Sequence, residues 1–339
     1  MKTIFIVDDN ATNLVTAKDA LSNSYKTFAL PSALRMFQLL EKITPDLILL
    51  DVDMPEMDGF EALSVLKYDE KYKLIPVIFL TAKNDAESEI RGFEIGAIDF
   101  INKPFSPPVL IKRIETHIEI DKLIKKSIQN VQKIHNATIN TIANMVENRD
   151  EVTGEHIDRT QKYLTILIKE LIRTGVYSNE VLKWNLETLL PSAQLHDVGK
   201  IKVSDMILNK PEKLTTEEFN MIKNHCAEGE KIIDDIIGKA EEDKFLIHAK
   251  KFAGTHHEKW DGTGYPRGLK GEEIPLEGRL MAIADVYDAL VSQRPYKEPF
   301  THEQVIEIIK NDSGKHFDPK IVEVFLNVAD DFWVKSVNG

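Results

Sequence analysis

The chain has 339 residues, 42% of them apolar and 29% charged, with a formal net charge of −12. That length exceeds one ordinary hydrophobic core and predicts two domains, while the composition excludes a disordered chain. The acidic balance excludes extended contact with a nucleic acid polymer, which needs a broad basic surface, but leaves room for a small phosphorylated ligand held by a few cations or metals.

No apolar run approaches the roughly 20 residues that span a bilayer. Residues 1–7 run directly into Asp8-Asp9, without the apolar region and cleavage site of a secretory signal. Cys226, the one cysteine, cannot close an internal disulfide, which fits a reducing compartment. The expected location is cytoplasmic, with no membrane contact.

Residues 1–120 alternate β-rich apolar runs (4–7, 26–29, 47–50, 77–80, 99–101) with amphipathic segments (13–22, 32–42, 59–68, 85–95, and one from 107). This alternation predicts a parallel sheet covered on both faces, with its site at the carboxyl ends of the strands. Asp8 and Asp9 follow the first strand, Asp51 ends the third, Thr81 the fourth, and Lys103 follows the fifth. Converging carboxylates suit a hard divalent ion such as Mg²⁺, while a hydroxyl and an ammonium suit a phosphoryl group carried by one carboxylate. Singly, each aspartate could cap a helix and Lys103 could be a solvated charge; together at one sheet edge they argue for a site.

The segments Val7-Asp8-Asp9, Asp51-Val52-Asp53-Met54-Pro55-Glu56-Met57-Asp58-Gly59, Thr81-Ala82 and Lys103-Pro104-Phe105 resemble the receiver domain of bacterial response regulators. The resemblance implies a flavodoxin-like (βα)5 fold and phosphorylation of Asp51, which stands four residues before Pro55, by a cognate sensor histidine kinase. It also implies Mg²⁺ held by Asp8 or Asp9, Asp51 and the backbone of Asp53. Phe100 falls where receivers carry an aromatic switch residue, with core packing as the equal alternative.

Residues 121–148 are read as a helical connector. From 114 to 146 there is neither glycine nor proline, and Ile114, Ile118, Ile124, Ile128, Val131, Ile142 and Met145 recur near one stripe. So narrow a stripe must be buried against something outside the helix. A parallel helix of a second copy, giving a homodimer, is the preferred partner; the chain's own domains are the alternative. His117 and His135 have no ligand set around them.

Residues 149–339 read as an all-helical bundle, with helices at 154–174, 179–195, 215–237, 241–253, 278–292, 301–312 and after 319. Thr215 and Glu218 have the spacing of a capped helix start. The candidate metal ligands are His156, His196, Asp197, His225, His256, His257 and Asp285, on separate helices or their ends, where a bundle can gather them. A nitrogen and oxygen set without thiolate suits iron or manganese better than zinc, and the count suits two ions with Asp197 as the bridge. Any one histidine alone is best read as a hydrogen-bonded core residue; the set, with its spacing, favours a metal site. His256 and His257 precede a turn supplied by Gly262 and Gly264. Cys226 follows His225 directly and, about 100° away around a helix, is expected to be a packed thiol rather than a ligand. His248, His302 and His316 lie outside the set, with His302 expected at the surface.

Thr153-Gly154-Glu155-His156, His196-Asp197-Val198-Gly199-Lys200, His225 with Gly229, the run His256-His257-Glu258-Lys259-Trp260-Asp261-Gly262-Thr263-Gly264-Tyr265-Pro266, and Asp285 resemble the HD-GYP family of phosphohydrolases, which degrade cyclic di-GMP. Further matching pieces are Asp288-Ala289-Leu290, Ser292, Arg294, Tyr296-Lys297 and the tail at 314–319. The resemblance implies one ion on His156, His196, Asp197 and Asp285, and a second on Asp197, His225, His256 and His257. It implies attack by a two-metal-activated hydroxide, giving linear pGpG and, by further cleavage, GMP. Lys200 is expected to neutralise the phosphoryl charge or place the water, and Arg294, Lys297, Tyr265 and Tyr296 to hold the substrate. Glu258 is expected to orient a histidine. Some members carry a glutamate four residues before the first histidine that supports a third metal; that position is Val152 here, so two ions are expected. The rival readings are a nucleotide-sensing scaffold that signals by protein contacts, and a hydrolase of mixed cyclic GMP-AMP.

Overall fold

The computed structural model describes residues 1–82, 86–150, 156–238, 243–293 and 298–337, which form two compact units, Met1–Val131 and Gln132–Gly339. In the first, β1 (Thr3–Val7), β2 (Lys26–Leu30), β3 (Leu47–Asp51), β4 (Val77–Thr81) and β5 (Asp99–Asn102) pair in parallel in the order β2-β1-β3-β4-β5. Every residue of β3 and β4 is buried, as a central strand covered on both faces requires. The register pairs Val7 with Leu50, Asp51 with Leu80 and Thr81 with Asn102, bringing the strands' carboxyl ends to one edge.

Around the sheet lie α1 (Ala11–Leu21), α2 (Ala33–Leu40), α3 (Gly59–Tyr68), α4 (Ala86–Ile95) and the start of α5 (Pro107–Glu147). Asn10 caps α1, and Asp58 with Glu61 closes a capping box on α3. Phe100 is buried against Phe79 and Phe93, with ring centroids 5.2 and 5.1 Å away. Leu110 and Ile114 of α5 complete the core, whereas Ile124, Ile128 and Val131 further along are exposed.

The second unit is helical: α6 (His156–Thr174), α7 (Ser178–Val181), α8 (Leu186–Ser192), α9 (Asp205–Leu208), α10 (Thr216–Lys223), α11 (His225–Ile237), α12 (Lys244–Thr255), α13 (Leu276–Val291), α14 (His302–Asn311) and α15 (Pro319–Val337). Its core is aromatic and aliphatic: Tyr163 stacks on Phe332 at 4.6 Å and meets Tyr287 edge-on at 5.2 Å. Burying one such ring contributes about 1.5–3 kcal/mol.

Two expected helices are each broken. The segment 179–195 divides into α7, α8 and a 3₁₀ turn at Ala193–Leu195, because the Asn185 side chain accepts from the Glu187 N–H and starts a new helix. The segment 215–237 divides at Asn224, so His225 opens α11 instead of lying mid-helix. Apolar periodicity does not register these breaks, since the pieces on both sides bury one face. His302 is half-buried, not a surface residue: it stacks on Trp333 at 5.4 Å, and its Nδ1 meets the Tyr287 hydroxyl at 3.2 Å.

Candidate functional site

At the sheet edge of the first unit, carboxylate oxygens of Asp8, Asp9 and Asp51 lie within 4.8 Å of one another. Asp8 and Asp51 are buried and Asp9 is exposed. Lys103 Nζ spans the pair, 2.7 Å from Asp8 Oδ2 and 2.7 Å from Asp51 Oδ1. Burial pushes the Asp51 carboxyl above its ordinary range against the pull of Lys103. Thr81 is buried at the end of β4 and Asp53 is exposed just beyond Asp51. The edge therefore has an acidic cluster that could hold a cation and an ammonium already on the Asp51 carboxylate.

In the second unit, the ligand atoms of Asp197, His225, His256 and His257 lie within 4.8 Å of one another, as do those of His156, His196 and Asp285. Asp197 joins the groups: its Oδ1 lies 3.2 Å from His225 Nε2 and 3.5 Å from His256 Nε2, and its Oδ2 lies 3.5 Å from His196 Nε2. On the other side His156 Nε2 is 3.5 Å from Asp285 Oδ1.

Backbone geometry fixes which nitrogen of each ring faces inward. His196, His225 and His256 each point Nδ1 at a carbonyl, of Ala193 at 2.9 Å, Ile222 at 2.6 Å and Phe252 at 3.0 Å. A carbonyl only accepts, so Nδ1 carries the proton and Nε2 of the neutral ring carries a lone pair. His225 Nε2 and His256 Nε2 stand 3.2 Å apart, both facing Asp197. Among the described residues, His196 Nε2 and Asp197 Oδ1 are buried without a hydrogen-bond partner. Lone pairs converging in a buried place repel unless a cation lies between them, so the donor set fits divalent metal.

The charge states agree. Burial holds the His196 imidazole down at about 4 and the His257 imidazole well below its usual value, so both are neutral near pH 7. Burial alone would raise Asp197, but Lys200, His196 and their neighbours outweigh it and keep the carboxylate ionised. These are the protonation states that metal ligands need. Lys200 Nζ is 2.9 Å from Asp197 Oδ2.

His156 has the most anionic surroundings. Its Nδ1 meets Asp288 Oδ2 at 2.8 Å, and Arg159 grips the same carboxylate through Nε at 2.6 Å and Nη2 at 2.9 Å. Burial opposes a charged His156, yet the bond to Asp288 and the charges of Asp285 and Glu147 raise it to about 9. Glu147, the last residue of α5, is itself buried and pushed up by that burial to about 7. Sequence reasoning missed Arg159 and Glu147. Arg159 follows His156 by three positions on one helix, a spacing that places both on one face.

The loop after His257 is locked from within. Gly264 approaches the Glu258–Lys259 backbone so closely that a Cβ would collide, and Gly262 takes a φ of 85°. Glu258 accepts from the Arg267 N–H at 2.8 Å and the Leu269 N–H at 3.0 Å, so it ties the loop instead of orienting a histidine. Tyr265 lies over His257 with ring centroids 4.8 Å apart. Cys226 is buried with Sγ 3.4 Å from His225 Nε2, nearer than a 100° offset suggests, yet it stays outside the ligand group. A cavity of about 330 Å³ opens beside His225, with Lys202, Ser204, Asn224 and Glu228 in its wall. Arg294, Tyr296, Lys297 and Val152 lie outside the described residues.

Comparison with known proteins adds the context. The HD domain family model matches residues 140–321, and the response regulator receiver domain model matches residues 4–115. Over 96% of its length the chain is 39% identical to a probable cyclic di-GMP phosphodiesterase of Vibrio cholerae, spanning 77% of that protein. It is 32% identical to the cyclic di-GMP phosphodiesterase response regulator RpfG of Xanthomonas campestris, over 95% of this chain and 86% of that one. A 3'3'-cGAMP-specific phosphodiesterase 2 of Vibrio cholerae is 40% identical over 56% of this chain and 34% of its own length. No helix among the described residues is long and apolar enough to cross a membrane.

Proposed function

The chain belongs to the HD domain family, with a response regulator receiver domain ahead of the HD domain, and on that premise we propose that it hydrolyses cyclic di-GMP to pGpG under the control of phosphorylation at Asp51. The observation that carries the proposal is the pair of ligand groups meeting at Asp197, with Lys200 against that same carboxylate. His156, His196, Asp197 and Asp285 hold one divalent ion, and Asp197, His225, His256 and His257 a second. Iron or manganese suits this nitrogen and oxygen set. When bound, the ions supply Lewis acidity toward a phosphodiester and make water acidic enough to lose a proton near neutral pH.

The chain's own groups do the rest. Lys200 offsets the charge that grows on the phosphoryl oxygens. Asp288 and Arg159 hold the His156 ring, and the Glu258 loop holds Tyr265 beside His257, where its face can take a base. The cavity next to His225 gives the substrate a seat at the metal edge. Arg294, Tyr296 and Lys297 retain their proposed role as substrate contacts. In the receiver, Asp8, Asp9, Asp51 and the backbone of Asp53 hold Mg²⁺, and Thr81 and Lys103 receive the phosphoryl oxygens. A sensor histidine kinase is the phosphodonor, and the exposed face of α5 with Ile124, Ile128 and Val131 pairs two copies. A cytoplasmic location goes with that partner and with the unpaired Cys226.

The similarity to a cGAMP-specific relative favours a second reading, a hydrolase of mixed cyclic GMP-AMP. Incubating Mn²⁺-loaded protein with each dinucleotide tests both. The proposal expects pGpG from cyclic di-GMP and its loss in Asp197→Ala. Faster cleavage of the mixed dinucleotide selects the second reading, and metal-replete protein that binds both and cleaves neither overturns the two together.

A further inference from the structure

Arg149 stands two residues beyond the end of α5, in the 3₁₀ turn Asn148–Asp150, and its guanidinium closes on the segment that follows His196-Asp197. Nη1 donates to the Lys200 carbonyl at 3.1 Å, Nη2 to the Val203 carbonyl at 2.9 Å, and Nε to Asp205 Oδ1 at 2.9 Å. The Arg149 carbonyl in turn accepts from the Asn209 side chain at 2.8 Å, so the residue is held by its backbone as well. The Asp205 side chain is 67% exposed, where an ion pair contributes little by itself. The two carbonyls are the contacts that call for a planar fork, since a lysine is a point charge and cannot hold both.

Lys200 itself lies in the 3₁₀ turn Val198–Lys202. Its N–H donates to the Asp197 carbonyl at 2.9 Å, and its own carbonyl accepts from the Val203 N–H at 3.0 Å. Such i→i+3 bonds have poorer geometry than those of an α-helix, so a turn of this kind gains most from a hold outside itself. We infer that Arg149 is a positioning residue for Lys200: its fork fixes the carbonyls at both ends of the Lys200–Val203 turn and so sets where the Lys200 ammonium stands. That ammonium is 2.9 Å from Asp197 Oδ2. A shift of the turn by about 1 Å moves it off the phosphoryl oxygens, and a misplacement of that size costs up to about 100-fold in rate. Arg149 acts on the phosphoryl chemistry through Lys200 and not by its own charge.

The inference rests on the hydrolytic reading, and a double-mutant cycle separates the two. The full chain is prepared as wild type, Arg149→Ala, Arg149→Lys, Lys200→Ala and the Arg149→Ala/Lys200→Ala double variant. Mn²⁺ uptake is followed by calorimetry, and kcat and KM for cyclic di-GMP are measured on the loaded proteins over hours, so that slow variants are read. Arg149→Ala should keep wild-type Mn²⁺ stoichiometry, lose kcat about 10–100-fold and change far less in KM. Arg149→Lys, with the charge but not the fork, should fall most of the way to alanine. With Lys200 already gone, Arg149→Ala should cost less than about twofold more, because residues that act as one unit are not additive. An equal loss in both backgrounds makes Arg149 a general brace of the loop and overturns the inference. Lost Mn²⁺ uptake in Arg149→Ala, or an unaltered kcat, overturns it too, and in all these cases the hydrolytic reading stands. Should Arg149→Ala fail to fold, Arg149→Lys takes its place in the cycle. A wild type that takes up Mn²⁺ and cleaves neither dinucleotide overturns the hydrolytic reading and the inference with it.

Discussion

The Asp288 carboxylate is the most informative position to perturb, because it holds a cation and a metal ligand at once. Its side chain is 2% exposed and that of Arg159 is 8% exposed. Replacing Asp288 with alanine takes the carboxylate away from the buried guanidinium, which costs about 3–5 kcal/mol. For a unit of this size each kcal/mol moves the melting temperature by roughly 2–4 °C, so a fall of about 6–20 °C is expected. The same change frees the His156 ring, and loss of such a supporting contact weakens metal binding about 10–100-fold. Asp288→Asn keeps the shape and one accepting oxygen, so it should fall between alanine and wild type on both measures. Differential scanning calorimetry without metal and a competitive Mn²⁺ titration read the two effects separately. An alanine variant that melts and binds Mn²⁺ like wild type would refute the role given to Asp288.

Gly199 allows no side chain, since a Cβ would collide with the His225 carbonyl and crowd the Gly229 N–H. Gly199→Ala should cost about 1–3 kcal/mol in melting stability and weaken Mn²⁺ binding by displacing His225. Burial pushes the Cys226 thiol up, with Asp197 and Glu258 adding to it, so Ellman's reagent should react slowly with native protein and at once in guanidinium. Fast reaction of the native protein contradicts that packing. In the receiver, burial works against an ionised Asp99, but His117, the Phe100 N–H and Arg113 hold it below its usual range. A lowered carboxyl contributes stability above its unfolded value of about 3.9 that is lost as the pH falls through the folded value, and Asp99→Asn should flatten the acid limb of the melting curve.

The sheet was legible because strands buried on both faces, such as Leu47–Asp51 and Val77–Thr81, are unbroken apolar runs between turns. Most helices were legible from periodicity, but the breaks before Leu186 and at Asn224 were not. An axis can change direction while the apolar spacing continues. The candidate ligands stood out because few side chains donate to a metal, and histidines in pairs or beside aspartate are uncommon without a reason. Their supports did not stand out. Arg159 and Glu147 are ordinary charges in a charged sequence, and only burial shows that they have nowhere else to go. Glu258 was read through its histidine neighbour, whereas its partners are backbone N–H groups at Arg267 and Leu269, reached only after the loop closes.

The central claim is that Asp197 joins two metal positions into one hydrolytic centre. Anomalous diffraction at the metal edge, on crystals grown anaerobically with Mn²⁺ or Fe²⁺, tests it most directly. The account predicts two peaks in contact with Asp197, one also touching His156, His196 and Asp285 and the other His225, His256 and His257. A single peak, or ions that leave Asp197 untouched, would contradict it.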